Sequence, residues 1–308
     1  MESMEKNECT SRIDFPLAQP RFLSSQQLLT IVNVMNHVFL LLLFAVTDPH
    51  FRTFGNELFS YHGQCDMVLS RSNGFASGLG LEVHIRTTRV NSPHVDYSYI
   101  SGVAVRIGSG VLEVTEDGAL IVNGESVILD DGSDTSFAGY ALKMVVKGSK
   151  KRIIAHNLDI GNGNSIQIRS NTKTGMLFVD MNGAFADSEG LLGAAPEETK
   201  PLLARDGITD LTGHWNTYGE EWQVNDVDPK LFKDGNRRPQ YPDGCVYKAD
   251  MKQQVRRRRL FETTKEVTFE AATDACAHVK KDEMKEFCVN DILATGDLDL
   301  AEDSFYAN

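Results

Sequence analysis

Alternating apolar and polar residues dominate the chain from Leu81 to Asp180. The run Leu81–Thr88 (LEVHIRTT) places Leu, Val and Ile on one face and Glu, His and Arg on the other, and Val103–Ile107 (VAVRI) repeats the alternation. LKMVV, RIIAH, SIQIRS and MLFVDM are further short apolar runs. A period of two residues predicts β-strands, and many short strands at close spacing predict an all-β sandwich or barrel rather than a βαβ fold.

Glycine-containing dipeptides punctuate these runs. Asp117-Gly118 and Asn123-Gly124 are typical of tight turns in β-hairpins, Asn182-Gly183 follows farther along, and Gly175 lies between the last two runs. Antiparallel strands are therefore expected.

Aromatic residues concentrate between Thr47 and Leu69. Two short strands on either side of a turn at Gly55 would place Phe59 and Tyr61 on one face of the second strand. Aromatic side chains this close together can anchor a sandwich core, because each buries a large apolar area. The residues predicted to be largely buried are Phe51, Phe54, Phe59, Tyr61, Val83, Ile85, Val103, Val105, Ile107 and Trp222.

The same stretch closely resembles the opening of a von Willebrand factor type D domain. In that family an Asp-Pro-His-aromatic segment leads to Thr-Phe, an aromatic strand and a Gly-x-Cys. This chain has the corresponding residues at Asp48–Phe51, Thr53–Phe54, Phe59 and Gly63–Cys65. The resemblance implies a β-sandwich, in agreement with the periodicity.

Later motifs extend the resemblance to about Cys245. They are GLLG (Gly190–Gly193), RDG (Arg205–Gly207) and YGEEWQV (Tyr218–Val224), the last expected to be an aromatic-rich strand ending in Trp. We therefore predict a leader over residues 1–46, a type D-like domain over 47–245, and a linker with a helical tail over 246–308. The predicted fold class is an all-β sandwich with a small α-helical C-terminal segment.

The tail from Glu262 to Ile292 contains no Gly or Pro, which favours helix. Cys276 and Cys288 lie within it, a placement consistent with two helices joined by a disulfide. The preceding run Arg256–Arg259 is either a processing site of a secretory protein or a solvated basic face.

The N-terminal region contains the apolar run Val38–Val46. It is too short for a clear transmembrane helix, and the residues before it are not the basic leader of a typical signal peptide. A signal or anchor over residues 28–46, a buried first strand at Phe44–Val46, and an incorrectly predicted N-terminus are the alternatives. Membrane attachment is expected only if residues 28–46 are retained as an anchor.

Composition excludes several function classes. The 308 residues contain 41% hydrophobic and 24% charged residues, typical of a folded soluble protein, and the net charge of -12 argues against nucleic-acid binding. The 8 histidines are scattered. No His-x-x-Glu-His, Gly-x-Ser-x-Gly or glycine-rich phosphate loop occurs, so no catalytic residue and no enzyme activity are predicted.

The 5 cysteines form no Cys-x-x-Cys pair, which leaves zinc-ribbon and thioredoxin-like sites without support. The family resemblance implies that Cys65 pairs with Cys245. Both halves of a second family disulfide are missing, because Leu192 stands in the GLLG turn and no cysteine lies between Cys9 and Cys65. This paired absence favours real disulfides and an oxidising compartment, against buried free thiols in a cytosolic protein. The expected bridges are Cys65–Cys245 and Cys276–Cys288, with Cys9 free or removed with the leader.

The family resemblance suggests calcium as a cofactor. Type D domains commonly bind it near the Asp of the Asp-Pro-His segment, here Asp48, but the expected Asn-rich loop after GLLG is absent. Calcium takes about six to eight oxygen ligands, more than one carboxylate supplies. Glu197, Glu198 or Asp206 could substitute, whereas the oxygen-rich segment Asn157–Asn164 is predicted to be a turn. No cofactor is predicted, and calcium stays open.

Some type D domains cleave themselves at the Asp-Pro bond of a Gly-Asp-Pro-His sequence. Asp48, Pro49 and His50 are present here, but Thr47 replaces the glycine. A β-branched residue does not readily take a positive φ, so the bond is predicted to stay intact. The expected function is that of a non-enzymatic extracellular structural or adhesive protein that binds other proteins or matrix. A calcium-dependent binding module and a hydrolase on a β scaffold are the alternatives.

Overall fold

A computed structural model describes residues 49–89, 98–147, 152–183, 185, 187–194, 201–235 and 267–302, and the main chain of 42–46. Antiparallel strands are its main regular structure. In chain order they are β1 (Leu42–Val46), β2 (His50–Arg52), β3 (Leu58–Ser60), β4 (Asp66–Ser72), β5 (Leu81–Arg89), β6 (Ser98–Ile107), β7 (Gly110–Thr115), β8 (Leu120–Val122), β9 (Glu125–Val127), β10 (Asp134–Phe137), β11 (Tyr140–Lys147), β12 (Ile153–Gly161), β13 (Asn164–Asn171), β14 (Met176–Asn182) and β15 (Ser188–Glu189).

The strands form two sheets. The first sheet has the order β10-β11-β12-β13-β14-β1-β2-β3, and the second has the order β15-β4-β5-β6-β7-β8-β9. The predicted Asp117-Gly118 and Asn123-Gly124 turns join β7 to β8 and β8 to β9, and residues 172–175 join β13 to β14. Asn182-Gly183 instead ends β14.

The inner faces of the two sheets share one hydrophobic core. All of the residues predicted to be buried, from Phe51 through Trp222, are at most 3% exposed, so this prediction is confirmed. The rings of Phe51 and Phe59 stack across β2 and β3, with centroids 5.0 Å apart. Alternation along β5 and β6 sends every second side chain into this core. The predicted all-β sandwich is confirmed.

Strand β1 lies between β14 and β2 in the first sheet. Leu42 is opposite Asn182, and Val46 is opposite His50. The last part of the predicted signal or anchor segment is therefore a sheet strand, and the boundary predicted at Thr47 falls after the first strand of the sheet. Residues 1–41 and 47–48 lie outside the described residues.

The segment YGEEWQV is mostly helical, so the strand prediction for it was wrong. Helix α2 spans Trp215–Glu221, and only the residues after it pair with β4, through a bridge between Gln223 and Met67. The aromatic residues Trp215, Tyr218 and Trp222 recur at helical spacing, which brings their rings onto the core. A shorter helical turn, α1, spans Phe75–Gly78.

The C-terminal tail contains helices α3 (Phe269–Ala275) and α4 (Asp282–Thr295), as expected. Thr268 caps α3 by accepting a hydrogen bond from the Ala271 amide (3.1 Å), and Gly296 ends α4 in the left-handed region. The tail residues pack around their own apolar cluster, which also includes Phe178 of β14. Among the described helices, none is long and apolar enough to cross a membrane.

Candidate functional site

The described part of the Asp-Pro-His segment is buried and tightly bonded. The Pro49 carbonyl accepts a hydrogen bond from the Tyr61 amide (3.1 Å), which closes β2 onto β3. His50 faces Ser60 across the pair, with 2.5 Å between its Nδ1 and the serine Oγ. These contacts hold the histidine in one orientation, in keeping with the structural role expected for it.

The helical tail reaches the same histidine. The ring of Phe287 in α4 lies flat on the His50 imidazole, with 3.8 Å between ring centroids and 11° between ring planes. Sequence reasoning missed this contact, because nothing local to either residue indicates it. Thr47 and Asp48 lie outside the described residues, so the metal role and the cleavage role of Asp48 stay predictions.

In the described part of the chain, the carboxylates that were considered as calcium ligands accept hydrogen bonds from nearby backbone amides instead. Asp206 accepts hydrogen bonds from the Ile208 and Thr209 amides (both 2.8 Å), and hydrogen bonds to Thr209 lower its pKa. Asp159 accepts from the Gly161 amide (2.9 Å) at the end of β12. The turn predicted for Asn157–Asn164 is confined to residues 162–163, because Asn157 and Asp159 pair with β13 as part of β12. Within the described ranges, no cluster of three His, Cys, Asp or Glu side chains is arranged to hold a metal ion. Glu197 and Glu198 lie outside those ranges.

The three cysteines that the structure describes are fully buried. Cys276 and Cys288 form a disulfide between the two tail helices, with 6.0 Å between their Cα atoms. Cys65 is 0% exposed and disulfide-bonded. Its predicted partner Cys245 lies outside the described residues, as does Cys9. Leu192, in the GLLG turn, is 0% exposed and belongs to the core, so an apolar side chain fills this position.

A network of charges, most of them buried, covers the face of the second sheet that points away from the core. Its first part centres on Glu82, whose side chain is 1% exposed. Glu82 accepts hydrogen bonds from Arg71 (Nε to Oε1, 3.1 Å) and Arg106 (Nη2 to Oε2, 2.7 Å), and His84 Nε2 lies 2.9 Å from Oε1. Burial alone raises the pKa of Glu82, but hydrogen bonds with His84 and Arg106 and the charges of His84 and Arg71 bring it down to about 2.

The second part of the network centres on Asp228. Arg205 binds its carboxylate with two nitrogens at 3.0 and 2.9 Å, and Arg71 donates from Nη2 at 2.5 Å. Burial raises the pKa of Asp228, and the hydrogen bonds and charge of Arg205 lower it below its ordinary value overall. Arg205 also donates to the carbonyls of Glu221 (2.7 Å) and Gln223 (2.9 Å). The RDG motif thus joins the end of α2 to the residues that follow it.

The third part centres on Arg86. It donates to both carboxylate oxygens of Asp66 (2.7 and 2.9 Å), to Asp234 (2.7 and 2.8 Å) and to the Gly235 carbonyl (2.8 Å). Its guanidinium also lies 4.2 Å from the centre of the Phe232 ring. We call residues 225–235, which carry Asp228, Phe232 and Asp234, the strap. Ion pairs from the sheet hold the strap over the outer face, an arrangement suited to clamping a segment in place.

Comparison with known proteins identifies the sandwich. The family model of the von Willebrand factor type D domain matches residues 45–196. No curated protein matches the chain.

Proposed function

Because residues 45–196 belong to the von Willebrand factor type D family, we propose that this protein is an extracellular, secreted or cell-surface structural or adhesive protein. Domains of this family are typically extracellular and generally non-enzymatic. The protein binds other proteins or matrix through the surface of its sandwich and does not turn over a substrate. Its net charge of -12 supports a protein partner over nucleic acid.

The observation that carries this proposal is a disulfide-bonded sandwich. Cys65 and the pair Cys276–Cys288 are oxidised and buried. Disulfides of this kind persist in extracellular compartments and are rare in the cytosol. Ion pairs hold the strap on one sheet, and Phe178 of the other sheet packs into the apolar cluster of the tail. A sandwich whose flanking segments are held in place by these contacts is suited to presenting loops to a partner.

Retention on decellularised extracellular matrix tests the binding function. The purified full chain is added to the matrix over a concentration series, and the control is the same chain after reduction and alkylation. Saturable retention of the folded chain, with several-fold less retention of the unfolded control, is the expected result. Equal retention of both, or none, would contradict the proposal. Turnover of chromogenic ester, peptide or glycoside substrates would instead support the hydrolase alternative.

Calorimetric titration of the full chain with calcium chloride tests the calcium-dependent alternative. A chelator-treated sample and an Asp48→Asn variant are the comparisons. Micromolar binding that the variant loses would assign calcium to Asp48. Matrix retention that is unchanged by the chelator is the outcome that our proposal expects.

Incubation of the purified protein near pH 5.5 for a day tests whether it cleaves itself. We expect the Asp48-Pro49 bond to stay intact, because Thr47 disfavours the backbone that glycine would allow. The contacts of His50 with Ser60 and Phe287 support a structural role for that histidine. A new N-terminus at Pro49 would refute this expectation. A Thr47→Gly variant tests the reason given, since it restores the glycine.

A further inference from the structure

Five loops meet at one end of the sandwich, and we call this surface the loop end. It consists of residues 73–80, 108–109, 138–140 and 161–164, together with Gly183 and Asp187. The Gly108 amide donates to the Gly80 carbonyl (3.2 Å), and the rings of Phe75 and Tyr140 are 6.0 Å apart.

Sheet register and close packing place the remaining loops beside these. Ala141 lies opposite Asp159, so the β10–β11 and β12–β13 turns are neighbours. Asp187 lies over Gly74, so close that a Cβ on the glycine would come within 3.0 Å of its carboxylate. The loop end is therefore one continuous surface built from both sheets.

Unfavourable backbone conformations concentrate at the loop end. Ala76, Ser77 and Ala138 have φ angles of 48°, 61° and 50°, and Asn162 and Asp187 are also positive. Elsewhere in the described chain, the non-glycine residues with positive φ are two asparagines, a residue type that tolerates this region. For alanine or serine the left-handed region is sterically unfavourable, because the Cβ comes too close to the following carbonyl oxygen. Backbone strain of this kind tends to cluster at functional surfaces.

The side chains at the loop end combine a small apolar centre with exposed carboxylates. Leu79 is 46% exposed and its side chain lies close to Gly108, and the paired rings of Phe75 and Tyr140 are half-buried. Asp159 and Asp187 are exposed at the margin, and the loop-end segments contain no Lys or Arg. Arg106 of β6 donates to the Gly108 carbonyl (3.3 Å), but its charge is paired with Glu82. Otherwise the loops are rich in Gly, Ser and Asn. Aromatic anchors among adaptable polar residues are typical of loops that bind proteins, and loops at one end of a β-sandwich suit that use.

We propose that the loop end is a protein-binding surface for a partner segment that presents an apolar side chain beside Lys or Arg. The apolar side chain packs on Leu79, Phe75 and Tyr140, and the basic side chain pairs with Asp159 or Asp187. The net charge of -12 favours the approach of a basic partner. This inference rests on the proposed binding function and names the surface that carries it.

A random peptide library panned against the immobilised full chain tests the inference. We expect enriched peptides to carry an apolar residue flanked by Lys or Arg. Leu79→Glu should weaken their binding tenfold or more. Asp187→Asn, which keeps a residue tolerant of positive φ, should weaken it several-fold and reduce its salt dependence. The matched control is Ile208→Glu, since Ile208 is 84% exposed and lies outside the loop end; its affinity should stay unchanged.

Several results would overturn the inference. They are a failure to enrich any peptide, enrichment of peptides without the apolar-basic pattern, and unchanged binding to Leu79→Glu. A Leu79→Ser variant repeats the test if the glutamate lowers stability. Matrix retention separates this inference from the proposed function: equal retention of the wild type and Leu79→Glu would refute the loop end alone, whereas loss of retention by the wild type would refute the binding function itself.

Discussion

Replacing Glu82 by glutamine removes the charge at the centre of the outer-face network while keeping its shape. Glu82 is bonded to Arg71 and Arg106 and lies beside His84, and its side chain is 1% exposed. Glutamine can still accept hydrogen bonds at its amide oxygen, but it removes the carboxylate that compensates Arg106 and one of those that compensate Arg71. Removing one partner of a buried ion pair is strongly destabilising, because the other charge stays buried without compensation.

The pKa of Glu82 gives the expected magnitude. The fold lowers this pKa from 4.5 to about 2, and each tenfold change in proton affinity corresponds to about 1.4 kcal/mol. The charged side chain therefore stabilises the fold by about 3 kcal/mol at pH 7. Because the folded pKa is the lower one, this contribution is complete above about pH 4.5 and is lost as the pH falls toward 2. Roughly 1 kcal/mol of it remains at pH 3.

Urea denaturation followed by tryptophan fluorescence measures the effect, because Trp222 is buried in the folded state. The Glu82→Gln variant should lose about 3 kcal/mol of unfolding free energy at pH 7 and roughly 1 kcal/mol at pH 3. Glu125→Gln, at an exposed position in β9, is the control and should change stability by less than about 0.5 kcal/mol. An equal loss by Glu82→Gln at both pH values, or a loss no larger than the control's, would refute the reasoning.

Two further substitutions test the packing. Gly219→Ala would place a Cβ 2.2 Å from the ring of Tyr61, so we expect a loss of about 2–3 kcal/mol in urea denaturation; Thr217→Ala, exposed on the same helix, should change stability by less than about 0.5 kcal/mol. Phe59→Ala should cost about 3–5 kcal/mol, and Phe269→Ala, at a side chain 67% exposed, should cost under about 1 kcal/mol. A loss under about 1 kcal/mol for Phe59→Ala would mean that the ring does not fill the core.

Local patterns were enough to predict the sandwich and its core. Alternation marks Val83 and Ile85 as inward-facing, and the structure buries both completely. The family resemblance failed at residues 218–221, because it suggested a strand for the segment 218–224 and these residues are helical. Trp215, Tyr218 and Trp222 recur every three to four residues, which is the period of a helix, and the absence of a Cβ on Gly219 lets this helix pack on Tyr61.

The outer-face network could not be predicted from the sequence, for a different reason. Alternation along β5 places Glu82, His84 and Arg86 on the face away from the core, which ordinarily predicts contact with solvent. Asp234, which pairs with Arg86, and Asp228, which pairs with Arg71 of β4, belong to a strap far along the chain. Ion pairs between residues so far apart in the chain leave no local pattern in the sequence. The same holds for His50, whose ring meets a tail residue that only the folded chain brings near it.

Disulfide mapping of the secreted protein tests the central claim most directly. The full chain is expressed in cultured animal cells, recovered from the medium, alkylated without reduction, digested and analysed by mass spectrometry. We predict that the protein is found in the medium, with linked peptides for Cys65–Cys245 and Cys276–Cys288 and with Cys9 free or removed. Retention of the protein inside the cells with all of its thiols free would contradict the account.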